Sequence, residues 1–253
     1  MQNPETFALL HVSDTHLTTI DKTGTGVNLR SVLSQHPDLP VLITGDLAGD
    51  GEIDSYRELL QILGDRTYLC CPGNHDNTDN LRSVLGDSRI LDTPTVRIIA
   101  VNSCQTGAVA GRIGGDELVQ AERAIAESER PCIVALHHPP NIFEVATVPG
   151  VLLEAESTLA LAEVIGEHAS TVLGVVCGHL HQPMLAPWAG THVFVAPSSA
   201  YHLRLYNNEL YKAAGGGYAI HRVSRGSLVS TVENLALWDP TEETLRRRRT
   251  CMT

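Results

Sequence analysis

Hydrophobic residues occur along this chain in short unbroken bursts. FALLHVS (Phe7–Ser13), PVLIT (Pro40–Thr44), TYLCCP (Thr67–Pro72), TVRIIAV (Thr95–Val101), PCIVAL (Pro131–Leu136) and TVLGVVC (Thr171–Cys177) show no polar alternation. That is the pattern of strands covered on both faces. Between them lie segments with helical spacing. Asn28–Gln35 is a short one, and Glu52–Leu63 carries Ile53, Tyr56, Leu60 and Leu63 on one stripe. Thr78–Leu85 has Thr78 as its expected cap and stops at Gly86, and a further helix is capped by Asp116 with Leu118, Ala121 and Ile125 inward. Ser157–His168 places Leu161, Val164, Ile165 and His168 on one side. Strands alternating with helices predict an α/β fold built on parallel sheets.

Past Cys177 the character changes. His192–Ala196, Tyr201–Tyr206, Gly217–Val223 and Leu228–Glu233 are short, strand-like and separated by turns, which predicts an antiparallel β half. No linker, repeat or low-complexity stretch divides the chain, so residues 1–240 are expected to form one domain. Residues 241–253 form a basic tail, with Arg246–Arg249 a solvated run.

The polar residues that end the bursts carry the chemistry. Asp14 and His16 follow the first strand, Asp46 the second, Asn74 and His75 the third, His137 the fifth, and His179 and His181 the sixth. Open α/β sheets place their sites at the carboxyl ends of strands. Taken singly, each of these motifs is an ordinary polar turn. Five strand ends bearing only metal-competent side chains are a different matter. One zinc ion takes three or four ligands. Seven candidates besides His75 suit two metals sharing a carboxylate, and mixed oxygen and imidazole donors favour Mn, Fe or Zn over Ca.

Composition narrows the classes. The formal charge of -11 disfavours a protein that coats nucleic acid. Six cysteines without a CxxC spacing read as core thiols rather than a zinc–thiolate site. With no apolar run of membrane length and a strand beginning near Thr6, a soluble cytoplasmic protein without membrane contact is expected.

The series DTH, GD, GNHD, HHPP and GHLH resembles the calcineurin-like metallophosphoesterase superfamily, in that family's order from Asp14 to His181. NSCQTGAVAGRIGGDEL and APSSAYHL resemble segments of its bacterial class III cyclic nucleotide phosphodiesterases. The resemblance implies a four-layer α/β/β/α sandwich. It implies that Asp14, His16 and His181 hold one metal, that Asn74, His137 and His179 hold the other, and that Asp46 bridges them. A hydroxide between the metals would attack phosphorus, Asn74 and His75 would contact the substrate, His75 would act as general acid, and Asp76 would orient its ring. The implied substrate is a small phosphodiester, cAMP foremost, with glycerophosphodiester or broad-specificity hydrolysis and a non-catalytic scaffold as alternatives. Relatives of this kind are often dimers, so a homodimer is implied by analogy. One departure is GDLAGDG, with Gly49 where the family usually has an aspartate and Asp50 just after it. The residues left over are His11, expected to be structural, His202, expected to be an ordinary strand histidine, and His138, with no assigned role.

Overall fold

The computed structural model describes residues 6–18, 25–143, 150–206, 209–213 and 215–235. The tail expected at 241–253, with Arg246–Arg249 and Cys251, lies outside them, as does part of the rim at 144–149. The first unit runs β1 (Thr6–Val12), α1 (Thr25–Gln35), β2 (Val41–Thr44), α2 (Ile53–Leu63), β3 (Tyr68–Cys71) and α3 (Thr78–Leu85). The second runs β4 (Ile90–Asp92), β5 (Arg97–Ala100), α4 (Gly115–Ala126), β6 (Cys132–Ala135), α5 (Ala155–Glu167) and β7 (Val172–Cys177). Then follow β8 (Met184–Trp188), β9 (Thr191–Val195), β10 (His202–Tyr206), β11 (Glu209–Ala213), β12 (Gly217–Ser224) and β13 (Ser227–Asn234).

Two sheets result, in the orders β13-β12-β1-β2-β3 and β4-β5-β6-β7-β9-β8, with β10–β11 a separate ribbon. In each, three consecutive strands are parallel: β1, β2 and β3 in one, and β5, β6 and β7 in the other. Period-two alternation sorts their side chains. Leu10, Val12, Val41 and Ile43 pack under α1, α2 and α3, while Val134 and Val175 pack under α4 and α5. Leu9, Leu42, Leu69, Ile98, Ile133 and Val176 fill the layer between the sheets. The order is helix, sheet, sheet, helix, the four-layer sandwich that the motifs imply. Adjacent Cys70 and Cys71 divide between two of these layers.

Several local expectations change. The late strands do not form an antiparallel half of their own. β9 runs parallel to β7 with β8 at its edge, while β12 and β13 extend the first sheet from β1. β8 is a further strand beyond those expected, and it accommodates Pro187 because an edge strand tolerates a missing donor. Asn77, not Thr78, caps α3, accepting from the Asp79 and Asn80 amides. Asp116 lies inside the first turn of α4, whose cap is Gly114. On α2 the inward stripe is Tyr56, Leu59, Ile62 and Leu63, and Leu60 faces out. Both stripes obey helical spacing, so only the packing partner decides between them.

The layer between the sheets holds two buried histidines, His11 and His221, in ring contact. Burial, with His221 second and Asp14 opposing, holds His11 well below its ordinary 6.5, and burial lowers His221 to about 3. Both are therefore neutral in the folded chain but take protons in the unfolded chain below pH about 6.5. The stability that neutral His221 contributes above that pH declines as pH falls toward about 3, by up to ~1.4 kcal/mol per pH unit, and His11 acts in the same direction. His221→Gln should flatten this dependence. Its urea midpoint in chelator, compared at pH 7 and pH 5, should fall by less than that of the wild type.

Candidate metal centre

The carboxyl ends of both parallel triplets meet at one end of the sandwich, and the decorated turns meet with them. Asp14, His16 and His181 form one group whose ligand atoms lie within 4.8 Å of one another, and Asp14, Asp46 and His137 form a second. His16 Nε2 stands 3.2 Å from His181 Nε2, and His181 Nε2 stands 3.3 Å from Asp14 Oδ1. On the other side, His137 Nε2 is 3.2 Å from Asn74 Oδ1 and 3.1 Å from His179 Nδ1. Asp46 lies between the groups, with Oδ2 3.6 Å from His16 Nε2 and Oδ1 3.4 Å from His137 Nε2. All seven candidate ligands are thus brought together.

The backbone is strained to achieve this. Among the described residues, the non-glycine positions with left-handed φ are Asp14, His16, Asp46, His179, His181, Ala189 and Arg225. The last two precede glycines at the hairpin turns between β8 and β9 and between β12 and β13. The other five are candidate ligands. Asp and His tolerate that region better than most residues, but each such residue still costs about 1–3 kcal/mol, which persists only where the surroundings over-determine it.

These residues fit a metal. Asp14 Oδ1 is fully buried without a hydrogen-bond partner, whereas Oδ2 accepts from the Ser13 hydroxyl and the His179 amide. An orphaned carboxylate oxygen in the interior calls for a cation. His137 Nδ1 lies 2.7 Å from the Thr44 carbonyl and His181 Nδ1 lies 2.9 Å from the Tyr201 carbonyl. A carbonyl only accepts, so both rings carry the proton on Nδ1 and turn an Nε2 lone pair inward. Burial, then the His181 ring, keeps His16 well below its ordinary value, and burial, then His137, lowers His179 to about 3. Neutral imidazole is the ligating form. For His137, burial is outweighed by Asp46 and Asp14, which raise it, and Asp14 is held low by His181 despite its burial. Thiolate ligation has no such support, since burial pushes the Cys70 thiol up to about 12.

His75 differs from the rest. Its side chain is 48% exposed, against 8% or less for His16, His137 and His181. Its amide donates to Asp46 Oδ1 at 2.9 Å, while its Nε2 stands 4.0 Å from Asp46 Oδ2. His16, Asp46 and His75 also satisfy the distances of a ligand group. Exposure sets His75 apart, leaving its ring at the mouth and able to exchange protons with solvent.

Asp76 corrects an expectation. Its oxygens accept from the Gly73, Leu47 and Ala48 amides and from the Tyr56 hydroxyl, so it ties the third turn to the second instead of orienting the His75 ring. Burial and the neighbouring Asp46 raise it to about 7. Asp50, beside the unusual Gly49, accepts from the Glu52 amide and the Ser55 hydroxyl, and so serves the start of α2. Gly49 packs against His16, and its amide donates to the Leu17 carbonyl.

His138 falls within the distances of a ligand group with His137 and His179, but its ring bonds elsewhere. Nδ1 meets Ser103 Oγ at 2.9 Å and Nε2 meets the Val109 carbonyl at 3.1 Å, which pins the 102–114 loop to the site. Tyr201 stacks on His16 at 5.2 Å between ring centroids, with Lys212 Nζ 4.0 Å from the centroid of the Tyr201 ring. His202 Nδ1 lies 3.5 Å from the His181 carbonyl. Ser198 Oγ donates to the Asp14 carbonyl. The APSSAYHL run thereby braces both Asp14 and His181, a role no local pattern of that run announces.

Two face-to-face mixed sheets, with buried imidazoles and carboxylates where the carboxyl ends of their parallel strands meet, define an α/β sandwich built around a metal-type donor set. The chain belongs to the calcineurin-like phosphoesterase family, whose pattern matches residues 7–183. It is similar to a probable cyclic nucleotide phosphodiesterase of Rhodococcus erythropolis, 33% identical over 221 residues that cover 76% of this chain and 71% of that one. It is also similar to the 3′,5′-cyclic adenosine monophosphate phosphodiesterase CpdA of Vibrio vulnificus, 27% identical over 253 residues, covering 90% of each. Among solved structures, a purple acid phosphatase from yellow lupin superposes with a TM-score of 0.65 at 13% identity, over 95% of this chain and 52% of that one, which shows the fold alone.

Proposed function

We propose that this chain is a metal-dependent phosphodiesterase acting on 3′,5′-cyclic nucleotides, with cAMP as the first substrate to test. The observation that carries the chemistry is a buried donor cradle with a single exposed histidine at its mouth. The similarity to CpdA over nine-tenths of both chains supports the choice of diester. Asp14, His16 and His181 would hold one ion, Asn74, His137 and His179 the other, and Asp46 would serve both, with Mn, Fe or Zn suited to the donors. When bound, such ions supply Lewis acidity toward phosphoryl oxygens and acidify water.

The chain's own residues do the rest. Asn74 places its side-chain amide beside His137, where its N–H groups can meet a phosphoryl oxygen as charge gathers there. His75, held by its amide bond to Asp46, can give a ring proton to the departing alkoxide. Asp76 fixes the turn that carries both. Two sides of the site are built by neighbouring loops, with His138 holding the 102–114 loop and Tyr201 lying against His16 and His181.

Manganese-dependent hydrolysis of cAMP, measured beside bis-p-nitrophenyl phosphate and glycerophosphocholine, tests the reading. Wild type should turn over cAMP. His75→Ala should lose ~10²-fold in kcat on cAMP and much less on the nitrophenyl ester, whose leaving group departs without a proton. Turnover of the nitrophenyl ester alone would discard cyclic nucleotides as substrate, and faster turnover of glycerophosphocholine would move the substrate class. Metal bound with no turnover of any diester would make the chain a scaffold.

A further inference from the structure

A file of polar side chains crosses the largely apolar layer between the sheets. His11 on β1, Thr44 at the end of β2, His221 on β12 and Ser230 on β13 all meet there, and Ser13 continues the His11 face beyond the strand. Ser230 Oγ lies 2.7 Å from His221 Nδ1, and His221 Nε2 lies 2.8 Å from His11 Nδ1. His11 Nε2 lies 2.8 Å from Thr44 Oγ1, Thr44 Oγ1 lies 2.9 Å from Ser13 Oγ, and Ser13 Oγ lies 2.6 Å from Asp14 Oδ2. Apart from Ser230, each member is fully buried.

The direction of every proton follows from the last link. The single Ser13 proton faces two acceptors, Asp14 Oδ2 at 2.6 Å and the Thr44 carbonyl at 2.9 Å. The nearer, ionised carboxylate takes it, and since both groups only accept, Ser13 must in either case accept from the Thr44 hydroxyl. Thr44 has then used its proton and accepts from His11 Nε2–H. His11, neutral, offers the Nδ1 lone pair to His221 Nε2–H, and His221 offers its own Nδ1 to the Ser230 hydroxyl. Burial favours the two neutral rings that this order demands. Five donors therefore point one way, toward the ligand carboxylate. A polar file in an apolar layer is costly unless every member is satisfied, and bonds in such a chain polarise one another.

We infer that the file Ser230–His221–His11–Thr44–Ser13 is a positioning relay that fixes the Asp14 carboxylate, holding Oδ2 so that the unpartnered Oδ1 is presented to the metal. None of the five touches the ion or the substrate. They act through Asp14, as outer partners act on ligands generally. The inference rests on reading the cradle as a metal centre and is independent of which phosphodiester is cleaved.

Manganese affinity tests it, measured by electron paramagnetic resonance against a competing chelator, well below the melting temperature of the metal-free protein. His11→Leu interrupts the file with an apolar group suited to the layer. Thr44→Val interrupts it one link later without changing shape or the Thr44 carbonyl. His11→Gln keeps a donor toward Thr44 and an acceptor toward His221. The first two variants should weaken manganese binding ~10-fold or more, and the Gln variant should bind within a few-fold of wild type. If His11→Leu does not fold, Thr44→Val decides. Wild-type affinity in Thr44→Val would overturn the relay, and so would a Gln variant as weak as the Val one. A wild type that binds manganese but cleaves no diester would overturn the proposed function and leave the relay standing. A wild type that binds no manganese would overturn the metal reading beneath both.

Discussion

Asp46→Ala should abolish manganese-dependent turnover, lowering kcat/KM at least ~10³-fold, equivalent to about 4 kcal/mol of transition-state stabilisation. The size follows from its position. One carboxylate oxygen faces His16 and the other faces His137, so a single truncation removes a donor from both groups. Asp46 Oδ1 also accepts the His75 amide, so the turn carrying the expected general acid loses its anchor in the same step. The loss should therefore exceed that of His75→Ala, which leaves the cradle whole. Metal stoichiometry separates the two causes. Inductively coupled plasma analysis of Asp46→Ala should find fewer than two ions per chain, while His75→Ala should retain the wild-type content. Full metal content with full activity in Asp46→Ala would remove Asp46 from the centre. Full content with lost activity would confine its role to holding His75.

The site was unusually legible because its chemistry is written in strand ends. Each candidate ligand stands within a few residues of an apolar run, and two-face burial of that run leaves its carboxyl end as the one place where polar groups gather. Long-range order was not legible. His11 reads as structural from its strand alone, because its partner His221 is 210 residues away and the register of β12 on β1 decides that they meet. The late strands were visible, but not which sheet each joins. Adjacency to His75 suggests that Asp76 orients its ring, yet His75 turns outward while the Asp76 carboxylate turns back to three amides and Tyr56. Nor does composition disclose left-handed φ at five candidate ligand positions. That strain belongs to turns tied to one another within the first sheet, by the bonds from the Asp14 amide to the Gly45 carbonyl and from the His16 amide to the Asp46 carbonyl, and across the sheets, by the bond from the His179 amide to Asp14 Oδ2.

Close approach of those turns makes their glycines sensitive positions. Gly45 has φ of 84°, and a Cβ built there would sit 2.2 Å from His137 Nδ1. Gly178, between β7 and His179, would place a Cβ 1.8 Å from Ser13 Oγ and 2.7 Å from the Thr44 carbonyl. In neither case is the obstacle the tip of a flexible chain that can swing aside. One is a ring fixed to the Thr44 carbonyl, and the other is the hydroxyl that holds Asp14 together with backbone. Overpacking costs about 1–3 kcal/mol where a core can adjust, and the left-handed φ at Gly45 adds about 1–2 kcal/mol. Gly45→Ala should therefore destabilise the metal-free protein by about 3 kcal/mol or more, lowering its melting temperature by roughly 6–12 °C for a chain of this size. Metal should not rescue it. A bound ion stabilises only the state that can bind it, and Gly45→Ala displaces a proposed ligand ring, so the rise in melting temperature on adding manganese should shrink as well. Both quantities come from one pair of thermal scans, with and without metal. A variant that melts lower yet gains the full wild-type increment from manganese would show that the His137 ring can move without loss to the centre, and would place the cost of this glycine in backbone conformation alone.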